Sequence, residues 1–145
     1  MDNKEKILVS SCLLGLRTRY DGKSVPCEGV ITLLEKYTLI PFCPEIYGGL
    51  PTPRTPSERV GEGVMMKDGS DVTANYRRGA EAALELCRLM GIRRAVLKKK
   101  SPSCGKGEIY DGSFTGTLTR GDGVTTELLS SFGIEVYSED EIDKL

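Results

Sequence analysis

The sequence predicts an α/β fold, a single-domain, three-layer α/β/α sandwich around a mostly parallel, Rossmann-like sheet. Short apolar runs bounded by Gly, Pro and Ser recur along the chain, which is typical of strands buried on both faces. Between them, one long stretch repeats apolar residues at three- and four-residue steps, which indicates a helix. Strands that alternate with helices favour a parallel sheet covered on both sides. The chain has 145 residues, a length that suits one domain, so residues 1–145 are expected to form it.

Four segments are predicted strands. Residues 7–11 are an apolar run that ends in small polar residues, and residues 39–43 form a second run that Pro44 stops. Residues 95–97 follow the long helix directly, and residues 134–137 form the final strand. All four are short and rich in Val, Ile and Leu, as strands of a covered parallel sheet are.

Two segments are predicted helices. Residues 72–90 carry an apolar stripe, with Thr73 as its N-cap and Gly91 as its C-cap residue. The stripe consists of Tyr76, Ala80, Ala83, Leu84, Cys87 and Met90. Residues 125–131 form a shorter helix behind a glycine-rich loop.

Composition excludes several classes of function. The chain has no histidine, which rules out Ser-His-Asp triads and His-ligated zinc. Its net charge of −1 offers no bulk attraction to nucleic acid, and Lys98, Lys99 and Lys100 are interpreted as a solvated strand end. No apolar stretch approaches the roughly 20 residues of a membrane span, and the first residues do not resemble a signal peptide. A cytoplasmic protein with reduced thiols, monomeric or weakly dimeric, is therefore expected.

Three of the five cysteines occupy equivalent places in the predicted topology. Cys12 follows the first strand, Cys43 ends the second, and Cys104 lies just beyond the third. Ligand sites of open α/β sheets form outside the carboxyl ends of the strands. The three thiols are therefore expected to meet at one edge of the sheet.

Three interpretations of these thiols compete. Inert burial suits Cys87, which lies on the helical stripe, but does not suit three cysteines in loops rich in Ser, Pro and Gly. Cys27 could be a core thiol, a redox partner or a group that contacts the ligands of the site, and the sequence does not choose among these roles. Structural zinc sites recruit four ligands, often in C-x-x-C pairs, and no such pair is present. An iron–sulfur cubane on three thiolates would leave one iron open to a substrate, although the spacing alone supports it only weakly.

Four segments of the chain resemble the signature blocks of the DUF523 family, which includes the thiouracil desulfurases. They are SCLLGLRTRYDG, CPEIYGGLPTPR, SPSCGKGEIYDGSFTG and GDGVTTELL, in the family's order and spacing. The resemblance covers residues 7–139, nearly the whole chain. Many members have a further cysteine just before the RYDG segment, where this chain has Thr18.

The resemblance implies a non-redox desulfuration of a thiolated pyrimidine, 2-thiouracil or a similar compound, at a [4Fe–4S] cluster. The family's cluster ligands correspond to Cys12, Cys43 and Cys104, its catalytic glutamate to Glu45 and its catalytic serine to Ser101. A non-catalytic zinc- or nucleotide-binding module and a tRNA-thiolating sulfur transferase remain as alternatives. The small size, the mild acidity and the lack of an RNA-binding segment argue against the transferase.

The residue types suit this chemistry. An open iron would polarise a thiocarbonyl, and Glu45, separated from Cys43 by one proline, could activate the attacking water. Ser101 opens the rigid segment that leads to Cys104, where its hydroxyl could bind the substrate or relay a proton. Ser103, Arg54 and Ser11 are expected to contact the substrate.

The substrate is a free base or a nucleotide. Backbone amides at the start of the 125–131 helix could hold a phosphate, although turn geometry is the simpler explanation of the glycines that precede it. Those glycines are Gly112, Gly116, Gly121 and Gly123.

Overall fold

A computed structural model describes residues 3–145. Its strands are β1 (Lys6–Ser10), β2 (Thr38–Phe42), β3 (Ser57–Val60), β4 (Gly63–Met66), β5 (Arg94–Leu97), β6 (Glu108–Tyr110), β7 (Leu118–Arg120) and β8 (Glu135–Ser138). Its α-helices are α1 (Glu28–Ile31), α2 (Pro44–Tyr47), α3 (Thr73–Met90) and α4 (Val124–Ser131), with 3-10 turns at Ser11–Leu14, Thr32–Glu35 and Ile142–Lys144. None of the helices in residues 3–145 combines the length and the apolar composition of a membrane span.

The central sheet has the order β2-β1-β5-β8, and every neighbouring pair in it is parallel. From β1 the chain passes to β2 on one side and later to β5 on the other, so the topological switch point lies at β1. Because β2 is an edge strand, it tolerates Pro41, which cannot donate a hydrogen bond to a second neighbour. The predicted parallel α/β sheet is confirmed.

Helical layers cover both faces of this sheet. On one face α3 and α4 pack against it in a core of Leu8, Phe42, Ala83, Leu84, Cys87, Ile92, Ala95, Leu97, Cys104, Leu129, Ile134 and Val136. On the other face α1 and the 3-10 turns pack against it in a second core of Ile7, Val9, Cys12, Leu13, Val30, Leu39 and Val96. Alternate residues of β1 thus enter opposite cores, which is why its sequence is apolar throughout.

Several predicted boundaries shift by a residue. Helix α3 begins at Thr73 with Val72 in the N-cap position, so Thr73 does not cap it. The Thr73 hydroxyl instead accepts a hydrogen bond of 2.9 Å from the amide of Val64 and ties α3 to β4. Helix α4 starts one residue earlier than predicted, and the final strand runs one residue further along the chain.

Two antiparallel hairpins, β3–β4 and β6–β7, were not predicted. Their strands have only three or four residues, which is too short for an alternation of apolar and polar residues to mark them, and β3 and β7 are largely polar. Both hairpins lie outside the central sheet.

Helix α2 lies against α3 through two glycines. A Cβ atom at Gly79 would overlap the carbonyl of Pro44, and one at Gly48 would overlap the carbonyl of Asn75. The Asn75 amide and the Arg78 guanidinium each donate a hydrogen bond of 2.9 Å to the Gly48 carbonyl. The backbone of α2 is therefore placed by direct contact with the backbone of α3.

The substitution Gly79→Ala tests this contact, because the two possible effects change the free energy of unfolding in opposite directions. Helix propensity alone would stabilise the protein by about 1 kcal/mol. The overlap with Pro44 would instead force α2 outward, and overpacking of this kind costs roughly 1–3 kcal/mol. We expect a net loss in the free energy of unfolding, measured by urea denaturation. A variant more stable than the wild type would contradict the close backbone packing.

Candidate active site

A cavity of about 460 Å³ opens at the carboxyl edge of the central sheet. Cys12, Cys43 and Cys104 all line it, and none of them forms a disulfide. Cys12 lies in the 3-10 turn after β1, Cys43 lies between β2 and α2, and Cys104 lies in the loop after β5. The structure thus brings together the three thiols that the topology predicted to meet.

The start of α4 holds the Cys104 loop in place. The amides of Val124 and Thr125 each donate a hydrogen bond of 2.8 Å, to the carbonyls of Pro102 and Ser103. The Thr126 hydroxyl donates to the Cys104 carbonyl at 2.7 Å. Amides that a helix leaves unpaired at its N-terminus are here satisfied by the cysteine loop. The suggestion that they cradle a phosphate is therefore wrong, because the donors are already used.

Gly123 lets the two segments approach each other. Its Cβ would come too close to the backbone of Ser103 and Cys104, so no larger residue fits. The amide of Gly123 also donates a hydrogen bond of 2.7 Å to the carbonyl of Gly105. This part of the glycine-rich loop serves the packing of the cysteine loop.

Burial keeps the three thiols neutral in the absence of a metal. It raises the pKa of Cys12 to about 11 and that of Cys104 to about 12, and repulsion from a Cys43 thiolate, if that group ionises, adds to both shifts. Burial also raises the pKa of Cys43. Since metal binding requires thiolates, a metal or cluster that enters this cavity must displace protons.

The spacing of the thiols bears on what they can hold. Within residues 3–145, no three Cys, Asp or Glu side chains lie close enough together to bind a single metal ion. A cubane cluster instead places each thiolate on a different iron atom, so its ligands lie further apart than those of one ion. Three thiols that line one cavity are the donor set that a cluster with three protein ligands requires.

Glu45 and Ser101 are connected through Ser103. The Ser103 hydroxyl donates a hydrogen bond of 2.9 Å to Oε2 of Glu45, and its oxygen lies 2.9 Å from the Ser101 hydroxyl. Because Ser103 has one hydroxyl proton, Ser101 is then the donor in the second bond. The amides of Ser103 and Cys104 donate to Ser101 Oγ at 3.1 and 2.9 Å and fix its position.

Arg54 holds the other oxygen of Glu45. Its Nε donates to Oε1 at 2.9 Å, and its side chain is only 3% exposed. The two terminal nitrogens donate to the carbonyls of Thr18 and Pro51 and to the Thr52 hydroxyl. Arg54 thus lines the cavity but is committed to positioning Glu45, and its contact with a substrate stays a prediction.

Thr18 occupies the place where relatives are expected to carry a further cysteine. Its hydroxyl shares a hydrogen bond of 2.7 Å with the hydroxyl of Ser11, and both residues line the cavity. Its carbonyl accepts from Arg54 at 2.9 Å and lies 3.7 Å from the Cys43 sulfur. Contact of Ser11 and Ser103 with a substrate stays a prediction, since both hydroxyls already have protein partners.

Several wall residues were not identified from the sequence. Tyr76 belongs to the apolar stripe of α3 and is buried, yet it also lines the cavity, where burial and the neighbouring Glu45 carboxylate raise its pKa. Its position on the stripe would not distinguish it from a core residue. Tyr20, Tyr110 and Phe114 form an aromatic part of the wall.

The basic run is more than a solvated strand end. Lys98, Lys99 and Lys100 all line the cavity. The Lys98 ammonium pairs with Glu139 at 3.1 Å, and that of Lys99 pairs with Asp140 at 2.7 Å. The Lys98 amide also donates to Ser10 Oγ at 2.8 Å, which joins the ends of β1 and β5 beside the thiols.

The fold and this cavity define an α/β protein with a thiol-lined, carboxylate-bearing pocket at the switch point of a parallel sheet. Residues 7–141 match the 2-thiouracil desulfurase family. The chain belongs to that family, and the resemblance seen in the signature segments is confirmed.

Two relatives span nearly the whole chain. The uncharacterized protein YbbK of Bacillus subtilis is 38% identical over 149 residues, which is 96% of this chain and 99% of that protein. A solved structure of the [4Fe-4S]-dependent thiouracil desulfidase TudS is 53% identical, with a TM-score of 0.93 over 98% of this chain and 95% of that one.

Proposed function

We propose that this chain is a [4Fe–4S]-dependent desulfidase that converts a thiolated pyrimidine such as 2-thiouracil, with water, to uracil and hydrosulfide. The observation that carries the proposal is the meeting of three free thiols with the Glu45–Ser103–Ser101 network in one cavity. The family match and the 53% identity to the desulfidase TudS support it.

Cys12, Cys43 and Cys104 would hold the cluster. When bound, a cluster with three protein ligands supplies one Lewis-acidic iron, which suits the soft sulfur of a thiocarbonyl. The thiols release their protons as they become ligands. The Ser103 hydroxyl, 3.6 Å from the Cys104 sulfur, would donate a hydrogen bond to that ligand when it is not directed at Glu45.

Glu45 is the base in this proposal. Arg54 and Ser103 fix its two oxygens. A carboxylate can accept about four hydrogen bonds, so Glu45 keeps capacity to accept one from a water molecule. Glu45 takes a proton as water oxygen bonds to the thiocarbonyl carbon, and the carbon–sulfur bond then breaks to release hydrosulfide. Ser101 and Ser103 offer a route by which that proton can move along the cavity wall. The reaction is a hydrolysis and needs no net electron transfer.

The remaining properties are part of the same proposal. Residues 1–145 act as one desulfurase domain in the cytoplasm, as a monomer or weak homodimer, on a small molecule and not on nucleic acid. The match over residues 7–141 supports the single domain, and the net charge of −1 supports a small-molecule partner.

An anaerobic reconstitution experiment tests the proposal. We expect about four iron and four sulfide per chain after reconstitution, as the cubane requires. The loaded protein is then incubated with 2-thiouracil, 4-thiouracil and 4-thiouridine monophosphate, and hydrosulfide is measured. Hydrosulfide release from at least one compound is expected. Zinc binding without iron, or a loaded protein inert toward all three compounds, would overturn the proposed function.

A further inference from the structure

Two residues of the cavity have strained backbones. Among residues 3–145, Lys100 and Phe114 are the non-glycine residues with left-handed φ, at 68° and 57°. Both line the cavity. A bulky residue in this region is a genuine outlier, and such strain persists only where the surroundings enforce it, typically at functional sites.

Glu58 enforces the conformation of Phe114. From β3, its Oε1 accepts hydrogen bonds from the amides of Gly112 and Phe114, at 2.9 and 3.1 Å. The loop between β6 and β7 is further braced by hydroxyl contacts of Ser113 with Thr115 at 2.6 Å and of Thr115 with Thr117 at 2.8 Å. One carboxylate of the first hairpin thus fixes the loop of the second.

The ring of Phe114 has no role in the hydrophobic cores. Within the described residues it belongs to none of the three core clusters, and it is only half-buried. It lines the cavity, as do Tyr110 of the same hairpin and Tyr20 of another loop. A strained backbone that presents an aromatic ring to a cavity, and not to a core, indicates a ligand contact.

We propose that Phe114 is the platform on which the planar ring of the substrate stacks, with Glu58 as the residue that positions it. This inference rests on the proposed function and adds a specificity-determining residue to it. Stacking uses the face of a heterocycle and leaves its edge free. The thiocarbonyl sulfur lies in the ring plane, so it stays accessible to the thiol side of the cavity.

Four variants test the stack by activity. Gly adopts the left-handed backbone of residue 114 without strain, so Phe114→Gly should fold as well as the wild type. Loss of stacking should raise KM for 2-thiouracil about tenfold, with kcat within about twofold. Phe114→Leu, which keeps the bulk but not the π-face, should behave similarly, and Phe114→Tyr should restore the wild-type KM. Phe132→Ala, at an exposed aromatic outside the cavity, is the control and should change neither constant.

Glu58→Ala tests the positioning role. Alone it should raise KM because the loop is released, but in the Phe114→Gly background it should add nothing. Independent, additive effects of the two substitutions would show that Glu58 acts elsewhere and would overturn its assignment.

A fluorescence titration separates this inference from the proposed function. The chain has no tryptophan, so Phe114→Trp places a single reporter at the proposed stack. In cluster-loaded protein, its emission should be quenched by 2-thiouracil and also by uracil, whereas a Phe132→Trp reporter should not respond. Two results would overturn the stack: Phe114→Trp emission that does not change on titration, or a wild-type KM in Phe114→Gly and Phe114→Leu. If the wild type still releases hydrosulfide in that case, the proposed function stands. If the wild type releases none, the proposed function fails, and quenching by uracil would still support the stack.

Discussion

Replacing Cys104 by alanine is expected to bring iron and sulfide content after reconstitution down to background and to abolish hydrosulfide release. Cys104 is 4% exposed and lines the cavity together with the two other proposed ligands. Two thiolates cannot support a cubane whose irons require three protein ligands in this site. Cys12→Ala and Cys43→Ala should have the same effect. Iron and sulfide are measured chemically, so this result does not depend on any substrate.

Cys87→Ala is the matched control for this loss. Cys87 is also buried, at 1% exposed, and burial raises its pKa to about 11. Burial raises the pKa of each cavity thiol as well. It packs in the core against α4 and the sheet instead of lining the cavity. We expect full iron and sulfide content despite some loss of stability. Normal cluster content in Cys104→Ala, or loss of the cluster in Cys87→Ala, would refute the ligand assignment.

Replacing Glu45 by glutamine is expected to lower kcat on the order of 10²–10⁴-fold while iron and sulfide content stay unchanged, because this is the usual contribution of a positioned general base. Glutamine keeps the size and can still accept from Arg54 or Ser103, but it cannot take a proton from water. Hydrosulfide release under saturating 2-thiouracil is the measurement. The variant should bind the substrate nearly as well as the wild type.

Two further variants show whether the loss of kcat depends on the Glu45–Ser103–Ser101 hydrogen bonds. Ser101→Ala should also lower kcat with the cluster retained, because the substitution removes one end of the network that passes through Ser103. Glu85→Gln, on the exposed side of α3, is the matched control and should leave turnover unchanged. Full turnover in Glu45→Gln would exclude its role as the base.

The central sheet and the meeting of the cysteines were predictable for the same physical reason. A parallel strand covered on both faces must be apolar at every position, so β1 and β5 are visible as short apolar runs. Once the strands are placed, the topology of a doubly wound sheet brings the residues after their carboxyl ends together. Cys12, Cys43 and Cys104 could therefore be grouped without any side-chain information.

The hairpins and the hydrogen bonds of the site could not be predicted in this way. A two-stranded hairpin is marginal by itself and depends on tertiary contacts, here partly the Glu58 carboxylate. The bridging role of Ser103 depends on the direction of one hydroxyl. The role of Arg54 depends on a loop contact with the distant Thr18 as well as on its neighbours Pro51 and Thr52. Phe114 depends on a backbone angle that sequence patterns do not reveal for a non-glycine residue. These features arise from tertiary structure, which local propensity does not encode.

The hydrogen bonds between the start of α4 and the Cys104 loop determine whether the fold persists when the cluster is lost. They join backbone carbonyls to backbone amides and a threonine hydroxyl, and no sulfur atom takes part in them. Loss of the cluster is therefore expected to leave the loop anchored, in contrast to a zinc finger, which unfolds when its metal is removed. We expect a chain that has lost its cluster to keep its fold and the position of its three cysteines. Repair then requires a supply of iron and sulfide under reducing conditions, not the synthesis of a new chain.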